Sequence, residues 1–136
     1  MIGLIDSSGL VWLEREPVLA RDLASHILEG TVAICDPVRI ELLRGARTAA
    51  EYDGLADGLA GFPFVETTQR TFARARRIQR RLADRSGPRH RTVALADLLV
   101  AAAAIDAELP VLHRDRDFEA IAEVTGQPLR WLGPRP

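Results

Sequence analysis

The sequence has 136 residues and a mass of 15.0 kDa, which is typical of one domain, and we expect a single domain over residues 1–136. With 47% hydrophobic and 27% charged residues, it can bury a core without disulfides. The one cysteine, Cys35, excludes an internal disulfide, and its apolar surroundings predict a buried thiol. The longest charge-free runs, 58–65 and 98–105, are far shorter than the roughly 18 residues of a membrane helix. Since no signal-peptide pattern is present, we expect a soluble protein of the cytoplasm with no membrane partner.

The net charge of -1 conceals two opposed charge distributions. All 18 basic residues are arginine, and nine of them lie between residues 70 and 91. That segment contains one acid, Asp84, so it has a net charge of +8, whereas the rest of the chain has a net charge of -9. Two opposed electrostatic fields are therefore hidden in a total charge close to zero.

Short apolar runs alternate with longer amphipathic stretches along the chain. We predict strands at residues 2–5, 32–35, 62–65, 110–112 and 129–132. We predict helices at residues 17–29, 36–45, 48–59, 68–85, 93–107 and 117–124, with caps at Asp36 and Asp117 and a stop at 86–88. This alternation is typical of an α/β sandwich with a mainly parallel sheet flanked by helices.

Asp97 lies in the most apolar predicted helix, with hydrophobic residues one turn away on both sides. A helix of that kind is normally buried against a sheet. An unpaired carboxylate there costs several kcal/mol or takes up a proton, so a partner has to compensate it. The pattern favours a metal-binding or catalytic role, with a solvent-facing polar stripe or a buried ion pair as the alternatives.

Asp6 and Asp115 each follow a predicted strand, at the end where parallel sheets assemble their sites. Helix capping is the alternative for Asp6. Glu41, on the 36–45 helix, lies one turn from Gly45, which leaves space around its carboxylate. A local ion pair with Arg44 explains Glu41 equally well.

The predicted fold can bring Asp6, Glu41, Asp97 and Asp115 to one edge of the sheet. Carboxylates in a small volume raise one another's pKa until a proton or a cation intervenes. An all-oxygen set suits Mg²⁺ or Mn²⁺, and the absence of a Cys/His cluster disfavours zinc. Such ions activate water and stabilise the charge that develops at a phosphodiester. We therefore expect these four acids to be metal ligands and catalytic residues.

At these residues the sequence resembles the PIN-domain ribonucleases, specifically the VapC toxins of toxin–antitoxin systems. The matching segments are LIDSS at 4–8, ELLRGA at 41–46, DLLVAA at 97–102 and VLHRDRDF at 111–118. None of them is specific alone, but the four in this order are.

The resemblance implies a PIN-like three-layer sandwich with a five-stranded sheet, an endoribonuclease that depends on Mg²⁺ or Mn²⁺, and a homodimer. It also implies a VapB-type antitoxin whose C-terminal segment blocks the acidic site, often with an arginine. The family's acidic quartet falls on Asp6, Glu41, Asp97 and Asp115, its accessory acid on Asp117, and its supporting hydroxyl on Ser8. Gly9 and His113 depart from the family, which commonly has a bulkier residue and a threonine there.

Arg70, Arg74, Arg77 and Arg81 are spaced by three or four residues, which predicts a basic stripe on one face of the 68–85 helix. Phe72, Ile78 and Leu82 are then available for packing. We predict that Arg74, Arg77 and Arg81 bind RNA phosphates. A solvated face, or ion pairs with acids in a dimer, would explain the same spacing.

Three other classes of protein were compared with this pattern. A receiver domain needs a lysine near its last strand, and the chain has no lysine. A phosphatase with a nucleophilic aspartate needs an acid two residues later, where Ser8 stands. A catalytically inactive PIN-like domain that binds RNA or a protein partner stays open, although it would not need all four acids.

Overall fold

The computed structural model describes residues 1–85 and 87–136, so Ser86, part of the predicted helix stop, lies outside the described residues. The strands are β1 (Gly3–Ile5), β2 (Val32–Cys35), β3 (Phe64–Val65), β4 (Val111–His113) and β5 (Leu129–Trp131). The helices in this part of the chain are α1 (Ser7–Arg15), α2 (Pro17–Leu28), α3 (Asp36–Leu43), α4 (Ala49–Leu59), α5 (Gln69–Ala83), α6 (Arg89–Thr92), α7 (Leu95–Asp106) and α8 (Arg116–Thr125).

The five strands form one parallel sheet in the order β3-β2-β1-β4-β5, which confirms the predicted sheet. In register, Leu4 of β1 lies beside Ala33 of β2 and Val111 of β4. The strand order reverses at β1, because β2 follows on one side and β4 on the other. A crevice opens at such a reversal, beyond the carboxyl ends of the strands, and this is where sites form in open α/β sheets.

Burial on both faces explains the continuous apolar runs of the central strands. Every residue of β1, β2 and β4 is buried, and α7 packs against β1 and β4. The small side chains at 101–104 of α7 are fully buried, so the helix axis can approach the sheet closely. Cys35 is buried as predicted, and burial raises the pKa of its thiol to about 12.

Two predicted helix caps were wrong by one or two residues. Asp115, not Asp117, caps α8, because Asp115 is extended and its carboxylate accepts the Asp117 N–H at 2.9 Å. Asp36 is the first residue of α3 rather than its cap, so Cys35 precedes the helix and Pro37 takes the second position. A proline fits either of the first two positions, because neither N–H has an intrahelical partner.

Helices α1 and α6 were missing from the prediction, which left residues 7–16 unassigned and placed His90 in a loop. Asp6 caps α1, as the capping alternative proposed, and its side chain accepts the Gly9 N–H. A β-carbon at Gly9 would lie 2.8 Å from Ile5 Cγ1, so α1 meets β1 at a distance that only glycine allows.

None of the helices in the described ranges combines the length and the hydrophobicity needed to span a membrane.

Candidate metal centre

Five carboxylates line one cavity of about 460 Å³ at the carboxyl edge of the sheet, beside the strand-order reversal. They are Asp6 after β1, Glu41 on α3, Asp97 in the first turn of α7, Asp115 after β4 and Asp117 in the first turn of α8. The structure therefore brings all four predicted acids and the accessory acid to one place. No ion pair links Glu41 to Arg44 among the described residues, so the local alternative for Glu41 is wrong.

Two donor groups hold the Asp6 carboxylate, which is only 2% exposed. The Ser8 hydroxyl lies 2.8 Å from both of its carboxylate oxygens, and the Gly9 N–H donates to Oδ1 at 3.1 Å. Burial raises the pKa of Asp6 from 3.8 to about 6, and these hydrogen bonds oppose that rise. Ser8 thus occupies the supporting position that the family resemblance implied.

Asp97 is 7% exposed at the start of a helix that is otherwise apolar. Its pKa rises from 3.8 to about 8, first because of burial and then because of the negative charges of neighbouring acids. Those neighbours are Asp115, Asp6, Asp117 and Glu41, in decreasing order of effect. Asp97 is too buried to belong to a solvated polar stripe and forms no ion pair among the described residues, so its metal-binding or catalytic role stays a prediction.

Asp115 and Asp117 belong to one turn at the start of α8. Burial and the charge of Asp115 raise the pKa of Asp117, whereas Arg89 lowers it. Beneath them lies His113, which is 1% exposed and whose Nδ1 accepts the Asp115 N–H at 3.1 Å. That hydrogen bond requires an unprotonated Nδ1, and burial lowers the pKa of His113, so both favour the neutral ring.

Asp97, Asp115 and Asp117 each offer an oxygen, and these three oxygens lie within 4.8 Å of one another. Three anionic oxygens at that separation fit a hard divalent cation such as Mg²⁺ or Mn²⁺. Asp117, which the sequence indicated only as accessory, therefore belongs to the tightest group. Asp6 and Glu41 line the same cavity outside this group.

A basic and aromatic rim around the acids was not predicted. Trp12, Arg15 and Arg114 line the cavity, and Arg89 is close enough to lower the pKa of Asp117. The spacing of Leu10 and Leu13 after Asp6 is the sequence signal that would have revealed α1 and its rim residues.

The predicted basic stripe on α5 lies away from the acidic cavity. Arg74, Arg77 and Arg81 line a separate cavity of about 420 Å³ beside the C-terminal end of α7. The Arg74 Nε donates to Asp106 Oδ1 at 2.7 Å, and the Arg81 guanidinium donates to the Val124 carbonyl at the end of α8. At a rise of ~1.5 Å per residue, Asp106 is on the order of 14 Å along α7 from Asp97.

The packing face of α5 also differs in part from the prediction. Ile78 and Leu82 are buried as expected, and Thr71 and Ala75 complete that face. Phe72, which was expected to pack, is 46% exposed.

Comparison with known proteins agrees with this architecture. The family model of the PIN domain matches residues 3–124. Ribonuclease VapC18 of Mycobacterium tuberculosis is 40% identical over 135 residues, which cover 99% of this chain and 98% of the relative. Ribonuclease VapC51 of the same organism is 39% identical over 131 residues, which cover 96% of this chain and 93% of the relative.

Solved structures share the fold at much lower identity. A crystal structure of VapBC2 from Rickettsia felis bound to a DNA fragment from its promoter contains a chain that is 16% identical with a TM-score of 0.77. The match covers 98% of this chain and all of the other. A chain of DNA-bound VapBC from Salmonella typhimurium is 19% identical with a TM-score of 0.76, covering 96% of this chain and 98% of the other. The chain therefore belongs to the PIN-domain family and, within it, to the VapC ribonucleases.

Proposed function

We propose that the protein is a metal-dependent endoribonuclease that hydrolyses RNA phosphodiester bonds as the toxin of a type II toxin–antitoxin pair. The observation that carries this proposal is the group of three carboxylate oxygens within 4.8 Å, on Asp97, Asp115 and Asp117. The raised pKa of Asp97 shows how strongly this place disfavours uncompensated negative charge. The relatives named ribonucleases cover nearly the whole chain, which supports the same conclusion.

In this proposal Asp97, Asp115 and Asp6 are the principal ligands of Mg²⁺ or Mn²⁺, and Asp117 lies close enough to Asp97 and Asp115 to join them. When bound, the cation supplies Lewis-acid charge that acidifies a water and neutralises the phosphate. Glu41, on the α3 side of the cavity, either orients the attacking water or adds a ligand for a second ion. Ser8 holds the Asp6 carboxylate in place through its hydroxyl.

The rim arginines have a separate task in the same reaction. Arg15 lines the acidic cavity, and Arg89 influences Asp117, so their guanidinium groups are placed to attract RNA phosphates to an otherwise anionic cleft. We assign Arg74, Arg77 and Arg81 to a more distant part of the RNA, because their cavity lies at the opposite end of α7. Of these, Arg77 is the one for which no intramolecular hydrogen bond is found within the described residues.

Cleavage of RNA with and without added Mn²⁺ or Mg²⁺ tests the proposed activity. The wild type should cleave only with the cation, and Asp6→Asn and Asp97→Asn should each lose at least ~100-fold in rate while they stay folded. Cleavage in excess EDTA, or undiminished cleavage by both variants, would sink the proposal. RNA binding with no cleavage under any metal condition would support the inactive PIN-like module.

An antitoxin of the VapB type is the proposed protein partner. The solved neighbours include VapBC complexes and a toxin–antitoxin complex from Klebsiella pneumoniae. An anionic cleft of this kind suits an arginine from the C-terminal segment of such a partner. A purified cognate antitoxin should inhibit cleavage stoichiometrically, and loss of its C-terminal arginine should weaken inhibition. Inhibition that survives removal of the whole C-terminal segment would contradict this mode of blocking. Since RNA and such an antitoxin are both cytoplasmic, we propose that the protein acts in the cytoplasm.

We also propose a homodimer through an exposed apolar patch next to the acidic cavity. Ile40 is 67% exposed, Leu95 70% and Phe72 46%, and the three line one cavity of about 530 Å³. Exposed large hydrophobic side chains that cluster in this way are typical of interaction surfaces. Light scattering should give a dimer for the wild type and a monomer for Leu95→Glu. A monomeric wild type at high micromolar concentration would refute the dimer.

A further inference from the structure

Two tryptophans and two arginines alternate in a stack beside the acidic cavity. No step of the proposed reaction involves this stack. The stack runs from Trp12 on α1 through Arg114 after β4 and Trp131 on β5 to Arg135 near the C-terminus. The Arg114 guanidinium carbon lies 3.6 Å from the ring centre of Trp12 and 5.1 Å from that of Trp131. The Arg135 guanidinium carbon lies 4.8 Å from the Trp131 ring centre. Guanidinium groups at such distances are attracted to indole faces.

The C-terminal segment is fastened to this Trp–Arg stack by hydrogen bonds. The Arg114 Nη1 donates to the carbonyl oxygens of Leu132 and Pro134, each at 2.8 Å. Gly133 between them has φ +74°, and a β-carbon there would lie 2.9 Å from Trp12 Nε1 and 3.3 Å from Arg114 Nη1. Glycine is therefore required both by the backbone conformation and by the close approach of the segment to the stack.

Arg114 is also joined to the acids through its backbone. Its N–H donates to Ser8 Oγ at 3.0 Å, and the same hydroxyl lies 2.8 Å from the Asp6 carboxylate. Asp115 is the next residue in the chain. A shift of Arg114 would therefore move the hydroxyl that orients Asp6 and the strand end that presents Asp115.

We infer that Arg114 is a positioning residue for the metal centre, with the Trp–Arg stack and the C-terminal segment 133–136 as its anchor. The planar guanidinium suits this task, because it can lie between two indoles while its N–H groups reach two carbonyls. A lysine ammonium keeps the charge but lacks the planar fork. The inference rests on the proposed metal-dependent function. It adds that metal binding requires the C-terminal segment, which is remote in sequence from Asp6, Glu41 and Asp97.

The affinity of the metal-free protein for Mn²⁺, measured by isothermal titration calorimetry, tests this inference without a cleavage assay. Arg114→Lys should weaken Mn²⁺ binding about tenfold, as is typical when a group that orients metal ligands is lost. Removal of residues 134–136, which are exposed and hold the Pro134 acceptor, should weaken it in the same direction. The truncation keeps the test available if Arg114→Lys does not fold.

Two control variants separate positioning from general stability. Arg130→Lys changes an exposed arginine of β5 that lies outside the stack, so its Mn²⁺ affinity should equal that of the wild type. Gly126→Ala alters a left-handed glycine at the end of α8 and should lower the melting temperature without changing Mn²⁺ affinity.

The possible outcomes are distinct. Unchanged Mn²⁺ affinity in folded Arg114→Lys and in the truncated protein would overturn the inference. Weakened RNA binding with unchanged Mn²⁺ affinity would overturn it as well, since Arg114 would then contact the RNA. If wild type and Asp97→Asn bind Mn²⁺ equally, the proposed metal centre itself is wrong.

Discussion

Replacing Asp97 by asparagine should make the metal-free protein more stable at neutral pH while it removes metal binding and RNA cleavage. In the absence of a cation, Asp97 is buried among acids, and its pKa is raised from 3.8 to about 8. Ionising this group in the folded protein is therefore costly. An asparagine of nearly the same shape removes the ionisable group, so the folded protein no longer has to take up a proton there, and it leaves the surroundings in place.

The size of the effect follows from that shift. Each unit of pKa corresponds to ~1.36 kcal/mol, and pH 7 lies about three units above 3.8, so the upper limit is about 4 kcal/mol. Burial is the largest cause of the shift, and an asparagine amide stays buried at the same position. We therefore expect the free energy of unfolding to rise by about 1 to 4 kcal/mol.

The dependence on pH has a definite sign. Between pH 3.8 and about 8 the folded protein retains a proton on Asp97 that the unfolded chain has released. The unfolded state then binds fewer protons, so the stability of the metal-free wild type falls as pH rises through this window. Asp6, with a pKa of about 6, adds to the fall at the lower end. Asp97→Asn should have a flatter profile.

Urea unfolding in EDTA, followed by circular dichroism at several pH values, measures both quantities. Asp106→Asn is the matched control, because Asp106 ends the same helix but accepts hydrogen bonds from Arg74 Nε at 2.7 Å and from the Thr71 hydroxyl at 2.9 Å. These partners lower the pKa of Asp106, so this control should lose about 1 kcal/mol. If Asp97→Asn loses as much stability as the control and keeps the wild-type pH slope, the reasoning is refuted.

Three further predictions concern stability and reactivity. Gly9→Ala should lose about 1 to 3 kcal/mol in urea unfolding, since the added β-carbon would lie 2.8 Å from Ile5 Cγ1; wild-type stability would contradict the α1 packing. Gly126→Ala, at φ +69°, should lower the free energy of unfolding by about 1 kcal/mol. Gly58→Ala, on α4 with open space around it, should raise the free energy of unfolding by about 0.5 to 1 kcal/mol. If both variants shift stability in the same direction, the backbone conformation described for these glycines is wrong. The Cys35 thiol should not react with a disulfide reagent in the folded protein and should react in urea, because burial raises its pKa to about 12; rapid labelling of the native state would argue against its burial.

Most of the fold was predictable because the sequence pattern and the burial agree. The strands are short apolar runs, and all five lie within two residues of their predicted bounds, with β2 matching at both ends. Helix α1 was missed because its nine residues follow Asp6 with two serines and a glycine, which are poor helix formers. The structure supplies the reason: Gly9 packs against Ile5, so tertiary contact offsets the low propensity.

The acids of the site and their convergence at one edge of the sheet were predictable, but which of them lie closest together was not. Each of Asp6, Asp97 and Asp115 has a local sequence signal, such as an apolar helix or a strand end. Which oxygens approach most closely depends on the first turn of α8, where the cap at Asp115 directs Asp117 towards Asp97. The Trp–Arg stack joins residues 12, 114, 131 and 135, and no local pattern indicates contacts across such distances in sequence.

The central claim is that the acidic cluster holds the divalent cation used to cleave RNA. Mn²⁺ occupancy of the protein and the single-turnover rate of RNA cleavage should be measured at the same series of Mn²⁺ concentrations. We predict that the cleavage rate rises with occupancy and saturates with it, and that Asp97→Asn loses both. Full occupancy with no cleavage, or cleavage that saturates while the cluster stays empty, would contradict the claim.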